Sequence, residues 1–195
     1  MREPASENLA MRAAFDRSAQ KCTVFDRTIE IAGHEVQLRL AGERVAAWID
    51  PALSHLASKS RGQSPRLTIR LFPLDPDGTG DSETAGCIST SADGRFLRQN
   101  VGGCDYLLDR TERQLIGSIC SVDEIPSWER AKPLSIPLTT WLSDDGLSVV
   151  HAGLVSLCGE GVLFAGPSGS GKSTCALACA AGGFDFLGDD CLILD

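Results

Sequence analysis

Apolar and polar residues alternate through TIEIAG and VQLRLAG on either side of a Gly-containing turn, which predicts a β-hairpin over residues 28–42. ERVAAWIDPALSHLAS, residues 43–58, has helical spacing, with Pro51 breaking the helix or starting a second short one. RLTIRLF, GRFLRQN and the two halves of CDYLLDRTERQLIGSI read as further strands, the last two joined by the polar turn DRTE. Between the first two of these, PLDPDGTGDSETAG is dense in Gly, Pro, Asp and Ser and reads as an exposed loop. SWERAKPLSIPLTTWLSDDG is helical in parts, interrupted at Pro133 and Pro137.

Texture divides the chain. Residues 1–20 have weak periodicity and read as a flexible, at most marginally helical lead-in. Residues 21–145 read as an α+β domain with mostly antiparallel strands and no chemistry that can be named; His34 and His55 read there as turn or surface residues. From Gly146 the chain turns apolar. LSVVHAGLVSL and GVLFAG are predicted strands joined by the turn CGEG, followed by a helix over 172–181, the strand FDFLG, the pair Asp189-Asp190, and the apolar strand CLILD. A strand–helix–strand link this short predicts FDFLG parallel to GVLFA with a right-handed crossover. Residues 146–195 are therefore expected to form an α/β P-loop nucleotide-binding core.

Chemistry enters with GPSGSGKS, residues 166–173, which satisfies G-x-x-x-x-G-K-[ST] between a strand and a helix. Gly166, Gly169 and Gly171 let the backbone curl so that successive N–H groups converge on phosphate oxygens. The helix start adds its unpaired N–H groups and positive dipole end. Lys172 is placed to reach β- and γ-phosphates and the Ser173 hydroxyl to ligate Mg²⁺. With parallel strands ending on one sheet edge, Asp189 and Asp190 are expected beside the same phosphates. One carboxylate can take the proton of an attacking hydroxyl while the other binds the metal. His151, alone in SVVHAG, reads from spacing as a packed strand residue.

The segment from Val149 to Asp190 also resembles the nucleotide-binding core of the HPr kinase/phosphorylase family, the HPr serine kinase C-terminal domain. The matching features are H-x-G at His151, the G-x-S-G-x-G-K-S loop, the following helix, the Gly-Phe return and the Asp-Asp pair. The resemblance implies a fold of the HPr kinase/PEP carboxykinase type and ATP with Mg²⁺ as cofactors. Gly166, Pro167, Ser168, Gly169, Ser170, Gly171, Lys172, Ser173 and Thr174 would then hold the nucleotide. It further implies that Asp189 activates an acceptor serine hydroxyl, that Asp190 assists metal and phosphate binding together with Ser173, and that His151 belongs to the active site. Members phosphorylate a serine on a small phosphocarrier protein and some also run phosphorolysis; related kinases act on lasso-cluster peptides or free serine. Pro167 and Thr174 stand where the bifunctional enzymes carry acidic residues, which implies a divergent member.

The expected activity is therefore ATP-dependent phosphorylation of a hydroxyl, a serine of a protein or peptide. A small-metabolite kinase of the shikimate or nucleotide kinase type and a non-catalytic nucleotide-binding module are the alternatives. Because family members continue past the Asp pair, the chain is expected to be a fragment of a longer protein, or else a partner completes its short sheet, leaving room for a homo-oligomer. A net charge of −8 and a pI near 4.9 argue against a nucleic-acid partner. With no apolar run long enough for a bilayer and no signal-peptide pattern, a cytoplasmic protein with no membrane partner is expected. The eight cysteines include no C-x-x-C pair and read as structural thiols.

Overall fold

The alternation at the start of the chain becomes β1 (Val24–Ile31) and β2 (His34–Ala41), paired antiparallel from Val24 opposite Ala41 to Ile31 opposite His34. Ala32 and Gly33 between them both have positive φ, the two-residue turn whose twist matches that of the strands. The computed structural model describes residues 3–59, 62, 64–74 and 86–195, so most of the loop expected at 73–86 lies outside the described residues. The chain divides into two units, Met1–Trp141 and Leu142–Asp195, a division a few residues before the expected one.

The first unit is built on a seven-stranded sheet of order β1-β2-β3-β7-β6-β5-β4. Its further strands are β3 (Leu67–Pro73), β4 (Cys87–Thr90), β5 (Phe96–Val101), β6 (Cys104–Asp109) and β7 (Gln114–Ile119). β3 runs parallel to both neighbours, and the other pairs are antiparallel. Strand alternation sorts the side chains onto two unlike faces. Leu38, Leu40, Ile69, Leu71, Leu115 and Tyr106 are buried on one. α2 (Glu43–Leu53) lies on β2 and β3 with Val45, Trp48 and Ile49 buried, and Pro51 sits within this helix without ending it. α3 (Ser127–Ala131) and α4 (Ser135–Asp144) follow, divided at Pro133. Pro137 lies in the first turn of α4, where a missing N–H is tolerated.

The opposite face carries Gln37, Arg39, Thr68, Arg70 and Gln114, and α1 (Pro4–Lys21) rests on it. Residues expected to form a flexible lead-in are thus a regular helix, held by Phe15 packed with Ala41 and Phe72; the Phe15 and Phe72 rings meet edge-on with centroids 6.2 Å apart. Among the described residues, no helix is long and apolar enough to cross a membrane.

Gly117 on β7 marks the tightest part of the apolar face. A Cβ there would sit 2.7 Å from Leu71 Cδ2 and 2.7 Å from Tyr106 Cδ1. Both neighbours are fully buried, so neither can swing aside. Gly117→Ala is expected to destabilise the unit by about 2 kcal/mol through overpacking, read as a lower urea midpoint with an unchanged slope.

The second unit departs from expectation. The run expected as one strand breaks at His151 into β8 (Ser148–Val150) and β9 (Ala152–Leu157). These are followed by β10 (Glu160–Ala165), α5 (Lys172–Ala181), β11 (Asp185–Gly188) and β12 (Leu192–Leu194). β9 lies between β10 and β11 and pairs antiparallel with both, while β12 and β8 form a separate antiparallel pair. The expected parallel P-loop core of the HPr kinase/PEP carboxykinase type is therefore not present. The molecule has a mainly antiparallel seven-stranded sheet and two small antiparallel sheets. The reason is local: Cys158 and Gly159, both at positive φ, close a tight hairpin that puts β9 beside β10. β11 then takes the other edge of β9 rather than lying next to β10.

Candidate functional site

Although β10 and β11 are not neighbours, each is antiparallel to β9, so they run in the same sense and end at one edge of the small sheet. Ala165 is opposite Ala152 and Gly188 is opposite Leu154. That register brings His151, the loop starting at Gly166, and Asp189-Asp190 to the same edge. The edge is also where the chain passes between the two small sheets, through His151 from β8 to β9 and through the Asp pair from β11 to β12.

The loop is closed by its own lysine. Lys172 Nζ donates to the carbonyls of Gly166 and Pro167, both at 3.1 Å, and the side chain is 8% exposed. An ammonium has three donors, so this clamp leaves one for a ligand. Ser170 N–H donates to the Pro167 carbonyl at 3.2 Å, tightening the turn. Gly169 (φ 78°) and Gly171 (φ 89°) adopt the left-handed conformation, and Gly171 is the N-cap of α5. The first helical hydrogen bond, Cys175 N–H to the Gly171 carbonyl, is 2.8 Å. Ser168, Ser170, Ser173 and Thr174 are exposed around this curl.

The two aspartates, adjacent in the chain, have different surroundings. Asp190 adopts φ 75° and its Oδ1 lies 2.8 Å from His151 Nδ1, both side chains being about half exposed. A pair this wet contributes under about 1 kcal/mol to stability, so its value is positional. Asp189 Oδ1 is buried and has no hydrogen-bond partner among the described residues. It points back under Gly153: a Cβ on that glycine would sit 3.5 Å from it, 3.4 Å from the Lys172 carbonyl and 3.2 Å from Ala176 Cβ. The absence of a side chain at Gly153 is what lets α5 and Asp189 approach β9 together. In the sequence this glycine stands only as the end of H-x-G, and the small Ala176, buried opposite it on α5, is the one local sign of close packing.

Buried carboxylate oxygens without a donor are rare, and this one lies where the first turns of α5 approach β9. The donor set fits Mg²⁺ carried with a nucleotide: hard oxygens from Asp190 and Ser173, and a lysine for phosphate. Among the described residues, no group of three or more His, Cys, Asp or Glu side chains could hold a metal ion alone. A cavity of about 560 Å³ lies in the first unit, lined by Arg44, Trp48, Pro51, Val122, Asp123 and Arg130, and includes none of these residues. No family model, curated protein or solved structure matches the chain.

Proposed function

We propose that the chain belongs to an ATP-dependent kinase that transfers the γ-phosphate to a hydroxyl, a serine of a protein or peptide. The observation that carries this reading is the meeting of the Lys172-clamped loop, the His151–Asp190 pair and the orphaned Asp189 oxygen at one sheet edge. Bound Mg²⁺–ATP would supply the phosphoryl group and neutralise its charge. The remaining work falls to the chain. Residues 166–174 hold the phosphates with backbone N–H groups and Lys172. Ser173 and Asp190 hold the metal side, and His151 fixes the orientation of Asp190. Asp189 accepts the serine O–H proton as the new oxygen–phosphorus bond forms and the bond to the ADP oxygen breaks.

The test is calorimetric titration of Mg²⁺–ATP into the chain, with Lys172→Ala and Asp189→Asn beside it. Saturable binding that Lys172→Ala reduces by about tenfold or more is expected, since a charge-assisted phosphate contact is lost. Asp189→Asn is expected to keep binding and lose phosphoryl transfer to a serine peptide. Binding without transfer in the unaltered protein would instead make this a nucleotide-binding module. No binding at all would remove the reading.

A further inference from the structure

The polar face under α1 gathers three guanidinium groups against two carboxylates, Asp26 and Asp16. Arg39 and Arg70 are register partners on the parallel strands β2 and β3, so their side chains leave the same face side by side. Arg12 lies three residues before Phe15, on the same side of α1. Phe15 is buried against this face, and the Arg39 guanidinium is 5.9 Å from its ring centroid. Arg12 Nε is buried and has no hydrogen-bond partner among the described residues. Arg39 Nε is bonded to Asp26 at 2.9 Å, but that carboxylate is more than half exposed. Arg70 Nη1 donates to a neutral acceptor, Gln114 Oε1, at 2.8 Å. Burial, and then the charges of Arg12 and Arg39, hold Arg70 below the ordinary guanidinium range, with Asp16 pulling the other way.

Packing like charges where water is partly excluded is costly unless an anion joins them. Guanidinium forks match the oxygens of tetrahedral anions, and Arg12 and Arg70 both retain unused donors. We propose that Arg12, Arg39 and Arg70 form a binding site for an oxyanion of the phosphate class, where α1 meets β2 and β3. The site lies wholly within the first unit and does not depend on the kinase reading.

The experiment follows the thermal midpoint of the full chain against inorganic phosphate, with chloride at matched ionic strength as the control. A parallel series uses O-phosphoserine. Lys172→Ala removes the contribution of the loop, so the two readings fail separately. A saturable rise in midpoint is expected in the wild type and in Lys172→Ala. In Arg12→Gln the half-saturating phosphate concentration is expected to rise by about tenfold, for one lost charge-assisted contact. Tighter saturation by O-phosphoserine would assign the site to a phosphomonoester, and equal saturation to the free anion. An unchanged response in Arg12→Gln, a response that chloride reproduces, or one that vanishes in Lys172→Ala would overturn the proposal. Arg70→Gln is a second probe; if it fails to fold, Arg12→Gln on α1 decides.

Discussion

Asp109→Ala is expected to cost the first unit about 2–3 kcal/mol, for acceptor bonds lost at a buried strand end, a sizeable part of the stability of a domain this size. Asp109 ends β6 and is 1% exposed. Its carboxylate accepts from Arg95 Nε at 3.0 Å and Arg95 Nη2 at 2.7 Å, and from the N–H groups of Thr111 and Glu112, both at 3.1 Å. One side chain thus organises the β6–β7 turn and ties it to the strand before. Burial alone would raise the pKa of Asp109, but the Arg95 bonds and the two backbone donors outweigh it and hold it below the ordinary aspartate value. A depressed carboxylate contributes stability that is present above its unfolded pKa and is lost as pH falls through the folded one. Wild-type stability should therefore fall below about pH 4 with a component that Asp109→Asn lacks. Urea titrations at pH 7 and pH 3 check both statements; equal midpoints for wild type and Asp109→Ala at pH 7 would refute the first.

Glu129→Ala should cost about 2–3 kcal/mol, for an acceptor lost and a cavity opened. Glu129 is fully buried, and its Oε1 accepts the N–H of Leu134 at 2.9 Å. Leu134 is itself fully buried with φ 63°, a conformation costly for leucine, so the carboxylate secures a strained link between α3 and α4. Burial raises the pKa of Glu129, partly offset by the Leu134 N–H. The same surroundings push the Cys104 thiol up to about 12, chiefly through burial, leaving it inert at neutral pH. The sign here is opposite to that of Asp109. The folded state keeps the proton that the unfolded chain releases, so stability declines as pH rises from the ordinary glutamate value toward the raised one. Glu129→Gln retains an acceptor for Leu134 and carries no charge. It is expected to remove that decline and exceed the wild type at pH 8, as measured by thermal midpoints between pH 4 and 8.

Alternation made the β1–β2 hairpin legible, and likewise the strands of CDYLLDRTERQLIGSI, because burial of one face imposes a period of two whatever the partner. It does not say which strand lies alongside, and so β3 between β2 and β7 could not be read from residues far apart in the chain. α1 was obscured for a related reason: it packs on the polar face, needing only Phe15 and a few alanines, and so lacks a strong apolar stripe. In the second unit, the loop and α5 were legible because their glycines and Lys172 follow from local backbone needs. The parallel core failed because a crossover rule gives strand direction and not adjacency, and β9 took the place beside β10. The His151–Asp190 contact depends on the break between β8 and β9, invisible in a continuously apolar run. The Arg12, Arg39 and Arg70 cluster comes from three elements that no local pattern connects.

The strand order of the large sheet also carries a kinetic consequence. β1–β2 is one hairpin and β4 through β7 form an up-and-down ribbon, so each needs only short-range closure, accessible within microseconds. β3 joins them by parallel bonds on both sides, and each of those pairings closes a longer stretch of chain. Docking of β3 is therefore the step expected to limit assembly of the sheet. Altering its buried residues, Ile69 or Leu71, should slow refolding, whereas changes on β4 at the sheet's outer edge should mainly speed unfolding.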